Sequence, residues 1–189
     1  MKNLLYDQEF QELDFSTQKV DNDYEECTFT HCNFSESNLG GISFINCTFI
    51  DCNLSNAALR DTSFQGVHFQ HCKMLGLKLN ACSNFLLSFN FDNCVLDFSS
   101  FYQINLSTSQ FNACSLKEVD FTQANLSGVS LADCNLTGAS FEDTNLQRAN
   151  LSFAYGFSID PELNNIKQAT FSRDGLTGLL IKYKLNIEG

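Results

Sequence analysis

The chain has 189 residues, enough for one domain with a substantial core, and it combines nineteen Phe with no Trp, one Pro and a formal net charge of −11. This charge argues against direct nucleic-acid binding, which needs a basic surface, and favours a partner that is itself basic. No apolar run approaches membrane-spanning length, and the N-terminal MKNLLYDQEF lacks a secretory core. We therefore expect a cytoplasmic protein without membrane contact, in which thiols stay reduced.

Residues 1–26 form a strongly acidic N-terminal segment. Eight acidic and two basic residues give this segment a net charge of −6. Phe10, Phe15 and Val20 are spaced by five, which indicates a degenerate first coil of the repeat described next. The exposed end of a stacked repeat is an open strand edge, and charge on a terminal coil discourages end-on association. We interpret residues 1–26 as an N-terminal cap.

Residues 27–151 carry a repeat of five residues. Large apolar side chains recur at every fifth position from Phe29 to Asn84 and again from Phe91 to Leu151, and 23 of these 25 centres are Phe or Leu. The exceptions are Met74 and Asn84. Neither the 3.6-residue period of a helix nor the two-residue period of a strand produces this pattern. A tandem repeat this short indicates a solenoid.

All nine cysteines lie two positions before a centre. Many of them, such as Cys32, Cys52 and Cys72, are separated by four repeats, so the natural unit is a four-sided coil. A free Cys acts as a small apolar filler of a core. We expect the core to contain stacked cysteines and aromatic rings, namely Cys32, Cys52, Cys72, Cys94, Cys114, Cys134, Phe29, Phe34, Phe49, Phe111 and Phe121.

The segment NACSNFLLSFNF interrupts the repeat. Cys72 and Cys94 are separated by four repeats plus two residues, and the centres also slip by two between Asn84 and Phe91, which indicates a two-residue insertion. Phe85, Leu86 and Leu87 either bulge outward as a contact patch for a partner or tuck into the core. The sequence slightly favours the core.

Residues 152–189 form a C-terminal module. Asp160 and Pro161 open a short helical turn, and Ile166 and Phe171 recover the register. Ser172 is a candidate N-cap for a short helix, and KLNIEG resembles a closing strand. An apolar stripe along this module either caps the last coil or packs two-fold against a second copy. The candidate dimer-interface residues are Leu176, Leu179, Leu180, Tyr183, Leu185 and Ile187.

The repeats ANLSG, CNLTG, TNLQR and ANLSF resemble the A-[D/N]-L-x-x signature of the pentapeptide-repeat family. This resemblance covers roughly residues 24–151. It implies an all-β fold, a right-handed quadrilateral parallel β-helix with a short C-terminal helix. In that family, the centre and the residue two before it point inward.

The C-terminal sequence GLLIKYKLNIEG resembles the dimerisation module of Qnr-type members of the family. Those proteins bind DNA gyrase or topoisomerase IV, shield them from quinolones and are described as DNA mimics. The resemblance therefore implies a homodimer with such a topoisomerase as partner. Mobile Qnr proteins carry two projecting loops, whereas this sequence has only the two-residue insertion. A scaffold with an unrelated partner is the alternative.

We find no pattern typical of an enzyme, a cofactor site or a metal site. His31–Cys32 and His71–Cys72 resemble metal-ligand pairs, but an inward cysteine and an outward histidine cannot converge on one ion. Stacked cysteines are close enough for disulfides, but their parallel directions disfavour the required torsion. We expect His31, His68 and His71 to be solvated, and the function to reside on the outer surface.

Overall fold

The computed structural model describes residues 2–186 as a right-handed, four-sided parallel β-helix of about eight turns with almost no helix. We number the faces in chain order within each coil. Centres Tyr24, Phe29, Phe34 and Leu39 mark faces 1 to 4 of the second coil. No helix among the described residues is long and apolar enough to cross a bilayer.

Faces 1 and 2 contain most of the extended strands. Face 1 is a four-stranded parallel sheet of β1 Leu4–Tyr6, β3 Asp23–Glu25, β5 Ser43–Ile45 and β7 Ser63–Gln65. Face 2 is a seven-stranded sheet of β2 Glu9–Gln11, β4 Thr28–Thr30, β6 Thr48–Ile50, β8 Val67–Gln70, β9 Phe89–Asp92, β10 Gln110–Asn112 and β11 Leu131–Ala132. β12 Asn150–Leu151 pairs with β13 Thr170–Phe171. Along face 3 and along face 4, successive coils are joined by isolated parallel bridges.

The register between coils follows the repeat. Phe29 lies opposite Phe49, and Phe49 opposite Phe69, so each of these coils consists of four repeats. Phe69 lies opposite Phe91, so the step from the fourth coil to the fifth is longer by two residues, as the insertion predicts. Phe10 lies opposite Phe29, so the first coil is shorter by one residue. The short step falls between Val20 and Tyr24, both buried, and the sequence pattern did not reveal it.

The interior consists of the two inward positions of each repeat. Of the 25 centres from Phe29 to Leu151, all except Asn84 are buried, and so are all nine cysteines. The cysteine thiols also satisfy backbone carbonyls: Cys52 Sγ lies 3.3 Å from the carbonyl oxygens of both Phe29 and Ile50. Thr62 Oγ1 donates to Leu39 in the same geometry. This explains why small residues with a donor recur two positions before the centre.

Aromatic rings form columns along the axis. The Phe29 and Phe49 rings stack with centroids 4.7 Å apart, and the Phe49 and Phe69 rings with centroids 5.0 Å apart. These values match the spacing of adjacent strands, so the backbone sets the ring separation. Rings from different faces of one coil meet edge to face, as Phe29 and Phe34 do at 5.4 Å. Both arrangements are favourable for aromatic pairs.

Two sequence predictions about the interruption are corrected. Asn84 was placed in the series of centres, but its side chain is exposed. Phe85 and Leu86 are 69% and 64% exposed, so the preference for a core position was wrong for both. Leu87 is buried. The reason is that Phe89, two positions before the centre Phe91, enters the core and contacts Phe64 with centroids 5.7 Å apart. Phe89 and Leu87 occupy the space that the missing centre leaves.

The C-terminal module begins with the predicted capped turn. Asp160 Oδ1 accepts from the Glu162 N–H at 2.9 Å. The helical segment is 3₁₀ rather than α: η2 Asp174–Leu179 and η3 Ile181–Tyr183 follow η1 Leu79–Ala81 in chain order. Ser172 Oγ accepts from the Gly175 N–H. Residues 184–186 form no strand, so the closing strand predicted for KLNIEG is not seen there. Ile187 lies outside the described residues.

Candidate interaction surfaces

All nine cysteine thiols are buried in the core. Cys47 and Cys82 are both buried, and burial raises the pKa of each thiol to about 12. Hydrogen bonding with Cys52 and Cys94, together with burial, raises the pKa of the Cys72 thiol far above its usual value. Protonated, buried thiols are poor nucleophiles and poor metal ligands. Because it is sealed from solvent, the cysteine column serves packing.

The three histidines lie on face 2 or at the turn that follows it. His31 Nδ1 and His71 Nδ1 lie 4.0 and 3.9 Å from the two carboxylate oxygens of Asp51, which sits between them in the stack. His68 Nε2 lies 2.9 Å from Asp92 Oδ2. Among the described residues, no three His, Cys, Asp or Glu side chains are placed to hold a metal ion. These contacts lie on the surface, where pairs of polar side chains contribute little to stability.

Face 2 is acidic along its length. Its seven strands contain no Lys or Arg. Carboxylates lie in the strands or at the turns that follow them, at Glu9, Glu12, Asp51, Asp92 and Asp133. The pKa of Asp92 lies below its usual value, mainly because the Asn112 side chain donates a hydrogen bond to this carboxylate. The hydrogen bond with His68 lowers the pKa further. The face therefore stays negative at neutral pH and can attract a basic surface.

The interruption places two apolar side chains in solvent. Phe85 and Leu86 lie at the tip of a turn, while Leu87 lies beneath them. Leu86 has a φ of +53°, and the other residues with positive φ are mostly polar or Gly. A large apolar residue at such an exposed turn gains little from folding. The structure thus separates the predicted contact patch into an exposed pair and a buried residue.

The candidate dimer-interface residues differ in exposure. Leu176, Tyr183 and Leu185 are exposed, at 47%, 52% and 55%. Leu179 and Leu180 are half-buried, and Leu179 packs against the core. The module thus covers its own last coil with some of the predicted apolar residues and leaves others in solvent.

Specific contacts hold this module on the last coil. The Ile159 N–H donates to the Gly178 carbonyl at 3.0 Å. A Cβ at Gly178 would lie 2.6 Å from the carbonyl oxygen of Phe157, so only glycine fits there. Lys182 Nζ lies 2.6 Å from Asp160 and 2.7 Å from Glu162, which ties η3 to the preceding turn.

Sequence reasoning missed an apolar surface beside the module. Phe153 and Tyr155 are 69% and 56% exposed, and with Ile181 they line a groove of about 450 Å³ next to Phe157. Phe98 is a further exposed aromatic, halfway along the rod. The signal was present, because large aromatic residues stand at repeat positions where most other coils carry polar or small ones. Exposed apolar surface of this kind is typical of interaction sites.

The comparisons with known proteins agree with the architecture. The sequence model of the pentapeptide repeat region matches residues 22–90 and 85–178. The chain is similar in structure to trypsin-treated QnrB1, a plasmid-mediated fluoroquinolone resistance protein, with a TM-score of 0.65 and 18% identity over 99% of this chain and 98% of that one.

A second similar structure is HetL, a pentapeptide-repeat protein involved in heterocyst differentiation regulation in the cyanobacterium Nostoc sp. strain PCC 7120. Its TM-score is 0.62, with 17% identity over 92% of this chain and 88% of HetL. No curated protein matches the chain in sequence. Identities this low establish a shared fold and leave function to the surface. The repeat, its coil register and the family match together show that this chain belongs to the pentapeptide-repeat family.

Proposed function

We propose that this protein is a dimeric acidic rod that binds a bacterial type II topoisomerase, DNA gyrase or topoisomerase IV, at the DNA-binding surface of that enzyme. Bound there, it modulates the enzyme or protects it from quinolone-type inhibitors. The observation that carries this proposal is face 2, which runs along the rod with carboxylates and without Lys or Arg in any of its strands. Eight turns at strand spacing span about 38 Å.

Electrostatics links this face to the proposed partner. Duplex DNA is recognised largely through its regularly spaced negative phosphates, and proteins that bind it present a basic groove. A stiff rod with carboxylates along one face can engage such a groove in place of DNA. The same fold in QnrB1, described as a fluoroquinolone resistance protein, supports the proposal. Binding of this kind weakens steeply as salt rises.

The test is a supercoiling assay with purified gyrase and topoisomerase IV, with and without a fluoroquinolone. We expect inhibition, or rescue from the drug, at micromolar protein, and a weaker effect at higher salt. The double variant Glu12→Gln/Asp133→Asn removes two charges from the turns after face 2 and should weaken the effect. Asp61→Asn/Asp143→Asn removes two charges from the turns after face 4 and is the matched control. No effect of the wild-type protein on either enzyme would refute the proposal.

We further propose that residues 152–189 form the dimerisation module, through the exposed side chains of Leu176, Tyr183 and Leu185. Leu176→Asp places a charge in this surface without touching the core and should give a monomer by light scattering. Phe98→Asp makes the same kind of change at an exposed aromatic halfway along the rod and should leave the mass unchanged. An unchanged mass for Leu176→Asp would count against this interface.

The second candidate is a scaffold or interaction module with an unrelated partner. It is favoured by the similarity to HetL and by the small size of the interruption, which adds only two residues between the fourth coil and the fifth. A pull-down that uses the wild-type protein and the Glu12→Gln/Asp133→Asn variant as baits distinguishes the two candidate functions. A partner that is not a topoisomerase and is captured equally by both forms would support the scaffold function.

A further inference from the structure

The sheet on face 1 is broken at one coil. Its strands β1, β3, β5 and β7 stack without a gap and end at Ser63–Gln65. The ladder resumes only at Asn105, which pairs with Asn125. Between them, residues 83–88 leave the face as an irregular turn and rejoin the coil at β9. Face 1 therefore lacks one rung, whereas face 2 continues through the same coil.

The lower edge of the gap is closed. The Ser83 N–H donates to the Thr62 carbonyl at 2.9 Å, and the Ser88 N–H donates to the Phe64 carbonyl at 3.2 Å. Ser88 Oγ accepts from the Gly66 N–H at 2.8 Å. The turn is thus anchored to the coil below it, and the backbone groups of β7 that would face the missing rung are largely satisfied.

The upper edge of the gap is open. In the coils above, the Asn125 N–H donates downward to the Ile104 carbonyl at 2.8 Å, and the Asn125 carbonyl accepts from the Leu106 N–H at 2.8 Å. Asn105 occupies the same repeat position one coil lower, so its N–H and C=O point into the gap. No backbone hydrogen bond within residues 2–186 uses either group. Asn105 therefore presents a free strand edge.

A ladder of side-chain amides ends at the same residue. Asn165, Asn145 and Asn125 each donate through Nδ2 to the Oδ1 of the asparagine one coil below, at 3.0, 2.9 and 2.9 Å. Asn105 accepts the last of these bonds. Its own Nδ2 donates to no group of the described chain, and it points toward the position that the missing rung would occupy. A donor at a ladder end selects for an acceptor at the next position.

The gap forms a groove of about 500 Å³ with no charged side chain in its lining. Leu86 and the buried Leu87 provide its apolar part, and Leu86 is 64% exposed. Polar side chains provide the remainder. The lining includes Asn84, Leu86, Leu87, Ser88, Gln103 and Asn105. A charged side chain placed here would lose hydration without gaining a counter-ion, so the occupant that matches this lining is uncharged.

We propose that this groove binds an extended, uncharged segment of a partner protein, added parallel to Asn105 as the missing rung of face 1. The segment carries an asparagine followed by an apolar residue. Its backbone pairs with the Asn105 N–H and C=O, and its asparagine Oδ1 accepts from Asn105 Nδ2. Its apolar side chain rests on Leu86 and Leu87. Strand addition of this kind takes affinity from backbone hydrogen bonds and specificity from alternate side chains.

The probe is a capped ten-residue peptide with the sequence of residues 122–131, TQANLSGVSL, which carries the required Asn-Leu pair and no charge. We expect the backbone and side-chain amide signals of Asn105 to shift in nitrogen-15 NMR spectra at about 1 mM peptide, and the Asn105 N–H to exchange more slowly with solvent. The control peptide TQAPLSGVSL lacks the donor and the side-chain amide. Equal responses to both peptides, or none to the first, would overturn the proposal.

Two variants of the protein test the site itself. Asn105→Ala removes the ladder end and should weaken peptide binding about tenfold, the effect of one good hydrogen bond. Asn135→Ala, at the same repeat position on face 3, is the matched control and should bind as the wild type does. Deletion of residues 84–85 together with Phe89→Val restores a coil of four repeats and should close the groove. If the deletion variant folds and still binds the peptide, or if Asn105→Ala and Asn135→Ala bind equally, the proposal fails.

Discussion

Faces 1 and 2 of the same solenoid respond differently to one insertion. Face 2 keeps a continuous ladder, because Val67 lies opposite Phe89 and Phe69 opposite Phe91 across the lengthened coil. Face 1 loses a rung, and its pairing resumes only at Asn105. The pairing of each face with the coil below depends only on the few residues of that face being in register. Two extra residues are therefore absorbed at one face, and the other three retain their stacking.

The largest difference in the free energy of unfolding is expected between a substitution in the core and one at the interruption. Phe49 is fully buried on face 2, between Phe29 and Phe69. Phe49→Ala should lower the free energy of unfolding by about 3–5 kcal/mol, because it opens a cavity inside a stacked column. Phe85→Ala at the interruption should change it by less than about 0.5 kcal/mol. Urea denaturation measures both, and comparable losses would show that the turn at residues 83–88 is packed in solution.

Stability at alkaline pH tests whether face 1, which lacks one rung at the interruption, still keeps water out of the core. Cys47 lies behind face 2 and Cys82 behind the interruption, yet burial raises the pKa of each thiol from 9 to about 12. The folded state then holds a proton that the unfolded state loses above pH 9. Stability is therefore fully present below pH 9 and falls between pH 9 and 12, by up to about 1.4 kcal/mol per pH unit for each thiol.

Thermal denaturation from pH 8 to 11 measures this effect. Cys47→Ala and Cys82→Ala should each reduce the alkaline loss by a similar amount. The single variants are compared with wild type at pH 8, where neither thiol contributes to the pH dependence. A reduced loss for Cys47→Ala only would show that water reaches Cys82 through the interruption.

The asparagine ladder of face 1 should give an intermediate effect. The Asn125 side chain donates to Asn105, accepts from Asn145 and accepts from the Ser127 N–H. Asn125→Ala should therefore destabilise by about 1–2 kcal/mol. Asn135 on face 3 accepts only from the N–H and the hydroxyl of Thr137, so Asn135→Ala should cost less. Equal losses in urea denaturation would show that the ladder adds nothing beyond the local turn.

The smallest effect concerns the surface of face 2 in acid. A hydrogen bond from Asn112 lowers the pKa of Asp92, and the hydrogen bond with His68 lowers it further. The unfolded state takes up the proton first, so this stabilisation is present above about pH 4 and is lost as the pH falls further. Asp92→Asn should reduce the difference in unfolding free energy between pH 5 and 2.5 by less than about 1 kcal/mol. An unchanged difference for Asp92→Asn would show that the hydrogen bonds to this carboxylate add nothing to stability in acid.

The repeat predicted most of the fold but only part of the candidate surfaces. Five-residue spacing identified the inward residues, because burial alternates along the chain within each rung, as for Phe29 and Cys27. It did not identify Phe153 and Tyr155 as an apolar surface, nor the exposure of Phe85 and Leu86. It also predicted a short helix after Ser172, where the chain forms 3₁₀ turns against Phe157.

The sequence by itself determined the four-sided coil, the inward positions, the cysteine column and the place of the two-residue insertion. These features depend on spacing along the chain, and spacing is visible in the residues. Only the tertiary structure decided the shortened first coil, the entry of Phe89 into the core and the open edge at Asn105. The physical reason is that these features depend on partners one whole coil away along the chain. Which backbone groups remain unpaired, and which cavities remain empty, is determined only when the coils are stacked.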